Sequence, residues 1–179
     1  MAIRNKKIIE LKSITYKIDE KKLLQNVSLE VSNGDMVSII GPNGSGKTTL
    51  IRLLSGELKP SKGQVFLLGK SEQDWDSSKL ALHRAVLSQS SMLSFPFSVI
   101  DIVRMGRHPH RYKEKKEESQ RISKHVLESF NLSNYSERNY TTLSGGEKQR
   151  VQIARVITQI WSNGNDYKNK VLILDEPDS

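Results

Sequence analysis

Gly41-Pro42-Asn43-Gly44-Ser45-Gly46-Lys47-Thr48 is a complete G-x-x-x-x-G-K-[ST] glycine loop. It follows the apolar run Met36–Ile40 and precedes the helix-like segment Thr49–Leu54. This context predicts a buried parallel strand, then the loop, then a helix. The glycines let successive backbone N–H groups turn inward on an anion, and the helix presents its positive end to the same anion. A plain strand-to-helix turn is the alternative, but a plain turn does not require the whole pattern.

A second strand-end motif lies near the end of the chain, where the apolar run Val171–Leu174 is followed by Asp175 and Glu176. A buried strand that ends in two adjacent acids delivers them to the carboxyl edge of a parallel sheet, where ligands of α/β proteins bind. Solvation of the strand end is the alternative. The glycine loop makes the ligand-binding interpretation the better one.

A third motif, Leu143-Ser144-Gly145-Gly146-Glu147-Lys148-Gln149-Arg150, lies between these two. Ser144 and Glu147 have the spacing of a capping box at a helix start. Capping does not explain Gly145 and Gly146, since glycine weakens a helix start. The glycines do leave backbone N–H groups open to an approaching anion, and both roles can hold together.

The remaining periodicity predicts an α/β fold. Alternation over Ile8–Tyr16 and Leu23–Val31 predicts an antiparallel hairpin, and further strands are expected at Gln64–Leu68, Arg84–Ser88 and Val171–Leu174. Strands that alternate with helices favour a parallel sheet. Two helical stripes are expected to face the core: Ile122, Val126 and Phe130, then Ile153, Ile157, Ile160 and Trp161.

Composition predicts one globular, water-soluble domain. The 179 residues are 36% hydrophobic and 27% charged, with no cysteine, which excludes disulfides and thiolate metal sites. No signal peptide and no apolar run of roughly 18 residues is visible, so a cytoplasmic location is expected. The net charge is +8, but Arg111–Lys124 mixes both signs as a solvated helix face does. We therefore expect no nucleic-acid partner.

Together the three motifs resemble the ATP-binding cassette (ABC) ATPase family. The resemblance implies a P-loop NTPase (RecA-like) core, an N-terminal antiparallel β subdomain and a helical signature subdomain within one domain, residues 1–179. On this basis the core and β subdomain occupy about residues 1–90 and 161–179, and the helical subdomain about 91–160.

The resemblance also implies roles for individual residues. Lys47 contacts the β- and γ-phosphates of ATP, Glu176 is the general base, and Tyr16 stacks on adenine, unless it is an ordinary strand tyrosine. The loop residues that hold ATP are Gly41, Pro42, Asn43, Gly44, Ser45, Gly46, Lys47, Thr48 and Thr49, with Gln89. Ligands of Mg²⁺ are Thr48, Gln89 and Asp175, and the signature residues that contact ATP held by a partner subunit are Ser144, Gly145, Gly146 and Glu147.

Within the family, Arg84–Gln89, Phe95–Val99 and Met105–His110 look like importers of iron chelates, cobalamin and haem, most of all haem (hemin) importer ATPases. The polar insert Ser162–Lys170 is similar to inserts in that branch. The resemblance implies a homodimer beneath two transmembrane permease subunits, with a substrate-binding protein, bound peripherally at the cytoplasmic face of the inner membrane. His108 and His110 are expected near the permease and not as haem ligands.

The resemblance stops short of the whole family pattern. Asp178 stands where the family has Thr, and the sequence ends at Ser179, before the D-loop aspartate and the switch histidine. The sequence is compatible with either a truncated gene product or a partial sequence. On this basis we expect an incomplete sheet and slower hydrolysis of ATP than in an extended form. Alternatives are a siderophore or cobalamin importer ATPase, a non-catalytic truncated remnant, or a soluble ABC ATPase of translation or DNA repair. The last would predict a tandem cassette or a coiled-coil insertion, and the sequence shows neither.

Overall fold

The computed structural model describes residues 6–88, 95–162 and 168–175. The described chain divides into two compact units. The first contains residues 6–76 with 168–170, and the second contains residues 77–88, 95–162 and 171–175.

The first unit is an antiparallel sheet with one helix. Its elements are β1 (Lys7–Ile18), β2 (Lys21–Ser32), α1 (Lys47–Leu54), β3 (Lys62–Leu67) and β4 (Lys70–Ser71). The sheet order is β2-β1-β3-β4, and every neighbouring pair is antiparallel. The predicted hairpin and the strand predicted at Gln64–Leu68 are confirmed. Apolar side chains from both kinds of element are buried: Leu11, Ile14, Leu24, Leu50, Leu53, Val65 and Leu67.

The strand predicted at Met36–Ile40 is wrong. None of the described strands includes or pairs with this segment, and the side chains of Met36 and Ile40 are 97% and 92% exposed. A strand exists only where neighbouring strands accept and donate its backbone hydrogen bonds. The apolar run therefore has the composition of a buried strand without the partners that a strand needs.

The second unit begins with α2 (Ser77–Leu80) and β5 (Arg84–Leu87). It continues with α3 (Val99–Met105), α4 (Lys116–Ser129), α5 (Gly145–Ile160) and β6 (Val171–Leu174). Strands β5 and β6 pair in parallel, from Arg84 opposite Val171 to Leu87 opposite Leu174. This confirms both predicted strands and the parallel pairing expected of an α/β fold. The two compact units are not the same as the predicted subdomains, because β5 and β6 belong to the unit that contains most of the helices. The division into a nucleotide-binding core and a helical subdomain stays a prediction.

Two clusters of buried side chains hold the second unit together. The larger joins α3, α4 and α5 around Ile102, Val126 and Val151. The smaller joins α5 to the parallel strands through Val156, Ala85 and Leu87. The α4 stripe faces the larger cluster as predicted. The predicted α5 stripe is divided, since Ile153 and Ile160 pack on the smaller cluster whereas Ile157 and Trp161 pack on the larger.

The C-terminal end of α5 is closed by side chains from the loop after α3. The last carbonyl groups of a helix lack intrahelical partners, and cations are stabilised near them. Arg107 Nη1 donates to the carbonyl oxygens of Thr158 at 2.6 Å and Trp161 at 2.9 Å. His110 Nε2 lies 2.8 Å from the Gln159 carbonyl oxygen. Because a carbonyl only accepts, that ring nitrogen carries the hydrogen.

Glu114 completes this arrangement and corrects one expectation. Its carboxylate accepts a hydrogen bond from Arg107 Nη2, and the two side chains are only 10% and 5% exposed. The mixed charges of Arg111–Lys124 were expected on a solvated helix face. Glu114 instead precedes α4 and is mostly withdrawn from solvent, where it supplies the counter-charge of the buried Arg107.

Arg107→Gln should lower the free energy of unfolding by about 3–5 kcal/mol, because Glu114 is left buried without its counter-charge. Adding Glu114→Gln should recover part of that loss. The control is Arg104→Gln, which breaks an ion pair with Asp101 whose side chains are 41% and 39% exposed and should cost at most about 1 kcal/mol. Urea unfolding followed by circular dichroism measures all four proteins. Equal costs for the Arg107 and Arg104 variants would contradict the role of Arg107.

Candidate functional site

The glycine loop has the backbone geometry of an anion cradle. Gly44 and Gly46 have φ values of 78° and 93°, a region that glycine enters without strain. Gly46 is the N-cap of α1, and no side chain caps the first turn of this described helix. The first N–H groups of α1 therefore have no side-chain acceptor and face the loop. A phosphate group fits this arrangement, since it supplies the missing acceptors and a charge that favours the positive helix end.

Lys47 is the first residue of α1, and its ammonium group lies against the loop. The Nζ atom donates to the carbonyl oxygens of Gly41 at 2.9 Å and Pro42 at 3.1 Å. An ammonium has three donors, so one N–H remains after these two bonds. The loop thus fixes the charge of Lys47 beside its own first residues, at the start of α1. Thr48 follows on the same turn with an exposed side chain, and Thr49 is half-buried.

Tyr16 lies on the same face of the sheet as a residue that contacts the loop. Tyr16 of β1 is directly opposite Leu24 of β2, and opposed residues of antiparallel strands project to the same face. Leu24 packs so tightly on the loop that a Cβ atom placed on Gly46 would lie 2.9 Å from its Cδ2 atom. Tyr16 is only half-buried, so its ring remains accessible. Its stacking role stays a prediction, and this position is compatible with it.

The signature segment begins α5 with a complete capping box. The Glu147 carboxylate accepts from the Ser144 backbone N–H and hydroxyl, both at 2.8 Å, and the Ser144 hydroxyl accepts from the Glu147 N–H at 3.4 Å. The hydrogen bonds from the Ser144 backbone and side chain hold the pKa of Glu147 below its ordinary value. The predicted capping box is confirmed.

Gly145 and Gly146 have no structural requirement for glycine within the described chain. A Cβ atom on either would meet no atom within 4 Å, and neither has a positive φ. Each glycine weakens the helix by roughly 0.5–1 kcal/mol relative to alanine. A close approach by a group outside this chain is a physical reason for bare backbone at this exposed helix start.

The acids and the Q-loop glutamine are only partly described. Asp175 follows β6 directly and is buried, with 5% exposure, and its backbone N–H donates to the Leu87 carbonyl oxygen at 2.9 Å. Gln89 and Glu176 lie outside the described residues. Thr48 belongs to the first unit and Asp175 to the second. The metal-ligand set therefore stays a prediction, although a hydroxyl and a carboxylate are ligands that suit Mg²⁺.

The structural role of the segment around His108 and His110 was not predicted from the sequence. His110 bonds to the carbonyl end of α5, and His108 contacts Arg111. Gly106 is required because a Cβ atom there would lie 2.2 Å from the Arg155 carbonyl oxygen. This segment thus holds α5, the helix that carries the signature residues. In the sequence, Gly106 is followed by the cation Arg107 shortly before a charged run. This pattern was the available signal for the role of the segment.

Comparison with known proteins identifies the class to which this loop, fold and signature helix belong. The family model for the ABC transporter matches residues 24–179. The chain belongs to the ABC transporter family. The predicted P-loop NTPase fold is likewise confirmed by a solved structure, cbiO1 of Clostridium perfringens, part of the ABC transporter complex cbiONQ. That structure matches 97% of this chain and 66% of its own chain, at 27% identity and a TM-score of 0.79.

Two curated relatives are hemin import ATP-binding proteins called HmuV. The protein from Gloeobacter violaceus is 41% identical over 170 residues, which cover 95% of this chain and 62% of the relative. The protein from Escherichia coli O157:H7 is 42% identical over 172 residues, which cover 96% and 65%. The chain thus spans slightly less than two thirds of these relatives. Among the described residues, no helix is long and apolar enough to cross a membrane.

Proposed function

We propose that this chain is the ATP-binding and ATP-hydrolysing subunit of an ABC importer that carries haem or another iron complex. The observation that carries the proposal is the N-terminus of α1, which has no side-chain cap, together with the hydrogen bonds that hold Lys47 against the glycine loop. Membership of the ABC transporter family supports ATP as the ligand. The names of the HmuV relatives support haem as the cargo.

Each proposed role follows from the chemistry of a side chain. Lys47 and the loop N–H groups would hold the ATP phosphates and stabilise negative charge that moves toward the leaving group. Thr48, Gln89 and Asp175 would hold Mg²⁺, which supplies charge neutralisation when it is bound. Glu176 would orient the attacking water and accept its proton.

The signature residues would act on a second copy of the chain. In a homodimer, Ser144, Gly145, Gly146 and Glu147 would close over ATP that the partner's loop holds. The open space at the Cβ positions of both glycines supports this role, because no atom of the described chain lies within 4 Å of either position.

The transport complex would contain two permease subunits and a substrate-binding protein. This chain would bind peripherally at the cytoplasmic face of the inner membrane. The permease and the binding protein would select the cargo, whereas ATP-dependent closure of the dimer would drive its passage.

Lys47→Ala should weaken ATP binding by about 100-fold, because it removes a charge-assisted donor to the phosphates. Lys59→Ala, which removes an exposed lysine of the same unit, is the matched control and should bind as the parent does. Titration calorimetry with Mg²⁺ and ATP measures both affinities. A folded Lys47→Ala protein with parental affinity would falsify the proposed site.

Ser144→Arg should leave ATP binding to one subunit intact but prevent the ATP-dependent dimer, because the long side chain fills the space that the partner's phosphate needs. The measurement is light scattering with Mg²⁺ and ATP in a Glu176→Gln background, which should bind ATP but turn it over slowly. Ser129→Arg, at an exposed position of α4, is the control and should still dimerise. A dimer that persists in Ser144→Arg counts against action on the partner's ATP.

The cargo is tested by growth of a strain from which the gene has been deleted. With hemin as the sole iron source, growth should fail and should return with the parent chain but not with Lys47→Ala. Ferric siderophore and cobalamin-dependent growth are measured in parallel. A defect confined to either of those two would replace haem as the proposed cargo.

A further inference from the structure

Between Leu11 and Ile14, strand β1 contains one more residue than the matching part of β2. Leu11 is opposite Leu29 and Ile14 is opposite Val27, so three steps along β1 match two along β2. Ser13 lies inside this interval with a φ of 49°, in the left-handed region. An extra residue with left-handed backbone in one strand of an antiparallel pair is a β-bulge.

The strand on the other side closes tightly on the same bulge. The register between β1 and β3 also shifts between Lys12 and Thr15. Gly63 of β3 has a φ of 85°, and a Cβ atom there would lie 2.3 Å from the Lys12 carbonyl oxygen and 2.6 Å from that of Ser13. Only glycine fits against the bulge, and β3 therefore holds it in place.

A second bulge in β2 restores the register. Ile14 is opposite Val27 and Tyr16 is opposite Leu24, so β2 contains the extra residue here. Asn26 lies in this interval with a φ of 52°. The two bulges compensate each other, so the register of Leu11 with Leu29 is recovered at Tyr16 and Leu24, before a further shift at Lys17.

Hydroxyl groups satisfy the backbone N–H groups that the two bulges release from the ladder. The Ser13 N–H donates to the Ser28 Oγ atom at 3.0 Å. The Asn26 N–H donates to the Thr15 Oγ1 atom at 3.2 Å. Both irregular residues are therefore supported by specific polar contacts.

The bulge decides which face of the sheet Tyr16 occupies. Side chains alternate along a regular strand, so without the bulge Ser13 and Thr15 would share the face of Leu11. With it, Ile14 and Tyr16 share that face, and Ile14 is completely buried. Tyr16 thereby comes to the side of Leu11 and Ile14. The second bulge brings its partner Leu24, which packs on the glycine loop, to that same side.

We propose that the Ser13 bulge, held by Gly63, is a positioning element that places Tyr16 against the nucleotide base. The inference rests on the proposed function, in which the glycine loop holds the phosphates of ATP. It separates two contributions to affinity within one site. Binding of the base depends on the bulge through Tyr16, whereas binding of the phosphates depends on the loop and Lys47.

Two substitutions at position 13 test this separation. Valine is strongly disfavoured at positive φ, whereas glycine adopts it freely. Ser13→Val should therefore bind ATP about tenfold more weakly than Ser13→Gly, since the loss of one aromatic–base stack is of that size. Titration calorimetry is performed with Mg²⁺ and either ATP or inorganic tripolyphosphate. Tripolyphosphate has no base, so both variants should bind it with affinities within about twofold of each other.

A double-substitution cycle shows whether the bulge acts through Tyr16. In a Tyr16→Leu background, Ser13→Val should cause no further loss of ATP affinity. If Ser13→Val does not fold, Ser13→Thr, which is also β-branched but keeps the hydroxyl group, replaces it in the comparison with Ser13→Gly.

Three results would overturn the proposal: equal ATP affinities for the folded valine and glycine variants, an equal loss for ATP and tripolyphosphate, or a full further loss in the Tyr16→Leu background. Failure of the proposed function looks different, because Lys47→Ala would then keep its tripolyphosphate affinity whatever residue stands at position 13.

Discussion

Backbone groups at the end of a helix need hydrogen-bond partners from outside the helix. At the start of α1, no side chain of the first unit accepts hydrogen bonds from the first N–H groups. Gly46 provides no side-chain cap, and the preceding glycine loop turns through two residues of positive φ, Gly44 and Gly46. The sheet supports the loop from one side through Leu24, and the ammonium of Lys47 supports it through two carbonyl groups. An anion would supply the missing acceptors at this helix start, which is the physical argument for the proposed binding of phosphate.

Helix α5 meets the same need in the opposite way. Ser144 and Glu147 cap its start from within, while Arg107 and His110 bind the carbonyl groups at its other end. The helix is therefore secured at both ends without a ligand. Gly145 and Gly146 do not contribute to this stability, because glycine weakens a helix and neither position is crowded. That contrast favours a contact made with something outside the chain.

The first unit uses irregular backbone to combine a stable sheet with a site. A regular hairpin would alternate side chains through Ser13 and would place Tyr16 on the face opposite to that of Leu11. The paired bulges at Ser13 and Asn26 shift the alternation by one residue and then recover the register. The close contact at Gly63 makes this shift part of the fold. The position of the Tyr16 ring thus depends on Gly63 and on the hydroxyl groups of Ser28 and Thr15, which lie outside the glycine loop.

The sequence alone determined those features whose causes are local. The glycine loop, the capping box at Ser144, the hairpin and the acid that follows β6 depend on short-range backbone preferences and strand periodicity, and each is present where described. The roles of Gln89 and Glu176 rest on resemblance and remain predictions.

Tertiary structure decided the features that depend on partners distant in sequence. The apolar composition of Met36–Ile40 predicted a strand, but hydrogen bonds from neighbouring strands decide whether one forms. Glu114 lies in a charged run and is nevertheless buried, because Arg107 supplies its counter-charge. The face that Tyr16 occupies depends on pairing with both β2 and β3. Local preference specifies what a segment can form, whereas burial and pairing across the fold select what it does form.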